Sequence, residues 1–128
     1  MKNWLYPLVF SILALLPACG SDEMSPADVC NDIIQVSCER LIECYTDAEL
    51  EQLGAPKTVQ GCVDARKMML KTNTGLACED FTVTTSYCMS GQTYSVDNGS
   101  LCIDILTSAT CESYKQDASP GACNDICI

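Results

Sequence analysis

The run Ser25-Pro26-Ala27-Asp28-Val29-Cys30-Asn31-Asp32-Ile33-Ile34-Gln35-Val36-Ser37-Cys38-Glu39-Arg40-Leu41-Ile42-Glu43-Cys44-Tyr45 reads as a capped amphipathic helix and sets the class of everything around it. Ser25 is the N-cap, Pro26 suits the first helical position, and Asp28 completes a Ser-x-x-Asp capping arrangement. Behind the cap, Cys30, Ile33, Ile34, Cys38, Leu41, Ile42 and Tyr45 recur every three or four residues. Asn31, Asp32, Gln35, Glu39 and Glu43 fall elsewhere, and Val36 is the one misfit to the pattern. Cys30 and Cys44 stand nearly whole turns apart, so both face inward. They are too far apart along a rigid helix to bond, because a disulfide needs α-carbons within about 7 Å. Bonds from this helix must therefore run to other elements.

Outward from Tyr45, Thr46 and Glu49 form a second capping box, opening a short helical turn that Gly54 ends before Pro56 breaks the chain. A second helix is expected from about Val59 to Thr72, with Val59, Cys62, Val63, Met69 and Leu70 on its buried stripe. Lys67 and Lys71 lie toward its C-terminal end, where the helix dipole favours cations, and Gly75 is the stop. Phe81 to Tyr87 is Thr-rich and loosely alternating; a lone strand has no partner, so the segment reads as an extended connection held by Cys78 and Cys88. Asp97-Asn98-Gly99 is a turn or a helix entry. A third helix then carries Leu101, Cys102, Ile105, Leu106 and Ala109 on one face, and after Pro120-Gly121 the segment Cys123 to Cys127 forms a last helical turn. The expected fold is mostly α: a small disulfide-stapled bundle of about three helices with an irregular central connection.

Ahead of that domain, Lys2 and the almost unbroken apolar run Leu5 to Leu16 form an export leader, followed by small residues at Ala18 and Gly20. The apolar part is about a dozen residues, well short of the roughly 20 that span a bilayer as a helix. Leu16-Pro17-Ala18-Cys19 resembles the lipobox of bacterial lipoproteins: an aliphatic residue three before a cysteine and a small one just before it. The resemblance implies that the Cys19 thiol takes a diacylglyceryl group, that the leader is cut just before it, and that the new amine is acylated, commonly with palmitate. On that reading 1–18 is the signal peptide, 19–25 the lipidated cysteine with a short polar tether, and 26–128 a cysteine-rich helical domain. The competing cleavage follows Gly20, using Ala18 and Gly20 as the small pair, and releases a soluble disulfide-stapled effector or inhibitor.

Setting Cys19 aside leaves Cys30, Cys38, Cys44, Cys62, Cys78, Cys88, Cys102, Cys111, Cys123 and Cys127, an even ten in an exported chain. That density signals a disulfide scaffold of five bonds. Ten cysteines allow about 945 pairings, so connectivity is open; parallel side chains disfavour Cys123 with Cys127 if that turn is helical. Metal binding is the weaker account of the thiols, since the chain holds no histidine and no Cys-x-x-Cys pair. Without the leader the chain keeps all 17 acids against six bases, a side-chain charge of −11. Such a surface repels nucleic acid.

Ser37-Cys38-Glu39-Arg40-Leu41-Ile42-Glu43-Cys44, Gly61-Cys62-Val63, Leu101-Cys102-Ile103-Asp104 and Ala122-Cys123-Asn124-Asp125-Ile126-Cys127 resemble the small cysteine-rich helical lipoproteins numerous in myxobacteria and their deltaproteobacterial relatives. The resemblance implies address and architecture, with no activity attached. Gly20 rather than an acid after the lipidated cysteine points to the outer membrane. The expected partners are the membrane, through the lipid, and an unidentified envelope component or protein.

No catalytic constellation is legible, and neither an enzymatic role nor a cofactor is expected. Without histidine, Ser-His-Asp and Cys-His machinery is ruled out, and no nucleophile elbow or phosphate-cradling loop is present. Glu39 and Glu43 lie one turn apart, as an acid–base pair could, but belong to the solvated face with Arg40 beside them. Asp97-Asn98-Gly99 matches only the start of a calcium loop. Met68-Met69 is expected to fill core gaps, and Asn98-Gly99-Ser100 is a glycosylation sequon relevant only in a eukaryotic host.

Overall fold

The computed structural model describes residues 23–128. Six helices form: α1 Pro26–Cys44, α2 Asp47–Gln52, α3 Val59–Thr74, α4 Val96–Ser108, α5 Cys111–Gln116 and α6 Gly121–Asn124, with a single 3-10 turn at Cys78–Asp80. Among the described residues no β-strand forms, and no helix is long and apolar enough to cross a membrane. The expected mostly α class holds, but the count of helices is six: α2, α5 and α6 are short elements beside three long ones.

Helix boundaries follow local chemistry. Ser25 Oγ accepts from the Asp28 amide at 3.2 Å while Asp28 Oδ2 accepts from the Ser25 amide at 3.0 Å, the reciprocal box that the sequence announces. Thr46 and Glu49 repeat the arrangement at α2. Helix α2 closes in a Schellman motif: the Gly54 amide donates to Glu51 O and the Ala55 amide to Leu50 O, with Gly54 at φ +64°. Helix α3 ends at Gly75, φ +75°. Both glycines hold a left-handed backbone that side chains resist.

Helix α1 is the spine, and its burial corrects the single-stripe expectation. Val36 is buried, as is Val29 seven residues earlier. At roughly 100° per residue the two lie about 20° apart on the helix surface. They face α4, where Gly99 meets Val29 so closely that a Cβ at Gly99 would sit 2.2 Å from Val29 Cγ1. Cys38 points elsewhere: with Cys62 and Val63 it makes a second small core between α1 and α3. A helix flanked by partners on more than one side buries more than one face, so a stripe drawn for a single partner omits Val36.

Helix α4 begins at Val96 with Ser95 as N-cap, five residues before the first residue assigned to its apolar face. Its buried line is Gly99, Cys102 and Leu106. Leu101 is half exposed, which departs from expectation: two residues beyond Gly99 it lies about 200° round the helix. Asp97-Asn98-Gly99 is thus the helix entry. On α3, Cys62 and Val63 are buried, whereas Met68 and Met69 both stand in solvent. Neither methionine fills a core gap: Met68 is 69% exposed and Met69 62%.

The main core joins Val29, Val36, Phe81, Tyr94, Leu106, Tyr114 and Ile126 around Cys30, Cys78 and Cys102. Phe81, Tyr87 and Tyr94 form an aromatic triad with centroids 5.7 to 6.0 Å apart. The central connection is irregular as expected, with Thr82 and Thr85 closing a tight turn. Its end departs from expectation. Thr93 and Ser95 exchange backbone hydrogen bonds with Ile126 and Ile128, so the last three residues pair antiparallel with residues 93–95 rather than ending a helix. The final helical turn lies earlier, at Gly121–Asn124.

Candidate functional site

All ten cysteines from Cys30 onward are paired: Cys30–Cys78, Cys38–Cys62, Cys44–Cys111, Cys88–Cys127 and Cys102–Cys123. Their α-carbons lie 4.8 to 5.7 Å apart, the ordinary range for a disulfide. Every bond runs between elements. Helix α1 sends three of them, to the 3-10 turn, to α3 and to α5. Cys78 and Cys88 do hold the ends of the central connection, each to a different partner. Cys123 and Cys127 are not bonded to each other. Paired sulfurs offer no thiolate to a metal or a substrate.

Cys19 and the leader lie outside the described residues. Of the range 19–25 expected to be a tether, the last two residues are engaged with the domain. Met24 packs against the main core, within 3.7 Å of the Ser100 hydroxyl, and Ser25 belongs to the α1 cap.

The side chains weighed for chemistry are engaged in structure. Glu39 accepts from the Gln35 side-chain amide at 2.7 Å, and Glu43 accepts from the Arg40 guanidinium at 2.8 Å. Both carboxylates face solvent, as the pattern indicates. Arg40 also donates to Ala109 O, capping the α4 C-terminus, whose own last turn holds no basic residue. Asn98 uses its amide nitrogen to donate to Asp125 O at 2.7 Å. It ties the head of α4 to the C-terminal segment.

One recess was not legible in the sequence. An apolar cleft of about 320 Å³ opens between α1 and α3, with Tyr87 and Tyr94 of the aromatic triad in its lining. Ile33 and Ile34 form one wall; Met69, Leu70 and Thr74 form the other. Tyr94 is 3% exposed, and burial pushes its hydroxyl far above the usual phenol range; Tyr87 is raised by the same cause. Neither hydroxyl has a hydrogen-bond partner among the described residues. Arg66, one turn before Leu70, is the one charged side chain lining the cleft. The sequence signal for this wall existed: Met69 and Leu70 were placed on the α3 stripe, but as core rather than as a cleft lining.

Comparison with protein-family models, curated proteins and solved structures finds no match to this chain.

Proposed function

We propose that this protein is a lipid-anchored extracytoplasmic lipoprotein, held by Cys19 at the outer membrane of a Gram-negative bacterium and presenting a disulfide-rich structural or binding domain. The observation that carries this reading is the lipobox-like Leu16-Pro17-Ala18-Cys19 directly behind the apolar run; the closed cysteine count agrees with it, as it does with cleavage after Gly20, which also removes Cys19. The ten cysteines of the domain pair among themselves, so none is left over for Cys19. An eleventh cysteine with no place in the scaffold, set directly behind an apolar run and Ala18, is the residue a lipobox modification uses. Five disulfides fit an oxidising, extracytoplasmic compartment.

The docking of Met24 shortens the leash. Four residues, Gly20 to Glu23, separate Cys19 from the packed Met24, a reach of at most about 18 Å when fully extended. Such a protein works close to the membrane face, through its own surface, on an envelope component or a protein partner.

Mass spectrometry of the mature N-terminus tests the proposal. A peptide beginning at Cys19 and carrying a diacylglyceryl group is the expected result. A free Ser21 N-terminus would sink it in favour of a released soluble effector. Cys19→Ser is expected to abolish incorporation of labelled palmitate and to remove the protein from the membrane fraction.

A further inference from the structure

The cleft between α1 and α3 is built for a ligand with an apolar body and one anionic end. We propose that it binds an aliphatic carboxylate, with the carboxylate on Arg66 and the chain lying between Ile33, Ile34 and Leu70 toward Tyr94. Charge supplies the first argument. Six basic residues stand among the described residues, and four of them are ion-paired: Arg40 with Glu43, Lys57 with Glu51, Lys67 with Glu79 and Lys115 with Glu49. Arg66 makes no ion pair or hydrogen bond among those residues, although 17 acids surround it in the sequence. An unpaired guanidinium beside an apolar cleft favours a planar carboxylate, to which it donates two parallel hydrogen bonds.

The second argument comes from the other end. Tyr94 is buried as a residue but lines the cleft, and its hydroxyl makes no hydrogen bond among the described residues, so it is open to a molecule lying there. Between these ends the lining is hydrocarbon, and a cleft of about 320 Å³ lies at the small end of the range for ligand sites. Arg66 and Asn73, two turns apart on α3, set the length of the wall at about 10 Å. A straight chain of medium length matches it. Neither argument depends on acylation of Cys19.

Decanoate is the probe, titrated into the oxidised protein below its self-association concentration. Decan-1-ol and decyltrimethylammonium serve as neutral and cationic controls of the same chain length. Saturable one-to-one binding of decanoate is expected, with NMR shifts confined to Ile33, Leu70, Tyr87 and Tyr94 and much weaker binding of both controls. Arg66→Gln is expected to weaken decanoate about tenfold, to the level of the alcohol, while Arg66→Lys, which keeps the charge but not the two parallel bonds, recovers only part of the loss. Arg66 is exposed and unpaired, so both variants should fold, and Tyr94→Phe probes the far end separately. Equal affinity for the three chains, an unchanged decanoate affinity in Arg66→Gln, shifts elsewhere on the surface, or no binding would each overturn the assignment.

Discussion

At Gly99, helix α4 comes so close to Val29 of α1 that no side chain fits between them. Inside a helix, glycine costs about 1 kcal/mol relative to alanine, so its presence four residues into α4 needs a gain elsewhere. That gain is contact with Val29: a Cβ there would lie 2.2 Å from Val29 Cγ1, inside any tolerable separation. Gly99→Ala is therefore expected to destabilise the domain by about 1–3 kcal/mol despite better helix propensity, as read from the urea midpoint. Val29→Ala alone opens a cavity, but in the double variant the two changes offset, and the pair should be less damaging than the sum of the singles. Additive losses would show that α1 and α4 do not meet here. A second residue-scale prediction concerns Tyr114, whose hydroxyl donates to Ser37 O at 3.0 Å in the core. Tyr114→Phe leaves a buried carbonyl without this donor and should cost about 1–3 kcal/mol.

At the scale of elements, what the sequence made legible was local and what it hid was not. The Ser25–Asp28 and Thr46–Glu49 boxes and the Gly54 and Gly75 stops each depend on residues within a few positions of one another, and each forms where the pattern places it. The disulfide partners lie 21 to 67 residues apart, and no local rule fixes them. Helix α5 was hidden for a different reason. It is six residues long and buries only Tyr114, too little for a period to emerge. Met69 misled because an apolar residue at stripe spacing looks the same whether it fills a core or edges a cleft. Helix α5 is held by Cys44–Cys111 and by Lys115, which bonds Glu49 at 2.8 Å and sits over the Tyr45 ring. Replacing both Cys44 and Cys111 by alanine should cost roughly 2–4 kcal/mol and strip hydrogen-exchange protection from α5 before α1 or α4. The Lys115 contact predicts a pH effect. Its hydrogen bond, with those from the Thr46 amide and hydroxyl, holds the Glu49 carboxyl at about 2 instead of 4.5. A depressed carboxyl stabilises the fold above its unfolded value and loses that contribution as pH falls from about 4.5 toward 2. Glu49 is exposed and screened, so the effect on overall stability is small; the direct readout is its NMR titration, whose midpoint should rise in Lys115→Met.

Over the whole molecule, covalent bonds do much of what a larger core does elsewhere. The fully buried large side chains number few, Tyr114, Leu50, Leu106 and Val29 among them, and cysteines occupy core positions beside them. If each of five bonds contributes roughly 2–4 kcal/mol, their sum is comparable to the entire stability of an ordinary domain, about 5–15 kcal/mol. Reduction should therefore unfold the chain, and a protease-resistant domain in excess reductant would show that the helices pack well enough alone. The order of reduction follows access, since exchange requires a thiolate to reach a sulfur. Cys38–Cys62 and Cys30–Cys78 join cysteines that are all buried, from 0 to 6% exposed. Both cysteines of Cys44–Cys111 and of Cys88–Cys127 are only half-buried. Brief treatment with a limiting reductant, followed by alkylation and peptide mapping, should label Cys44, Cys111, Cys88 and Cys127 first. The α1 bonds at Cys30 and Cys38 should open last and together with the loss of helical signal, because exposing them requires α1 to part from α3 and from the 3-10 turn. Simultaneous labelling of all ten would instead mean that opening any one bond unfolds the whole domain.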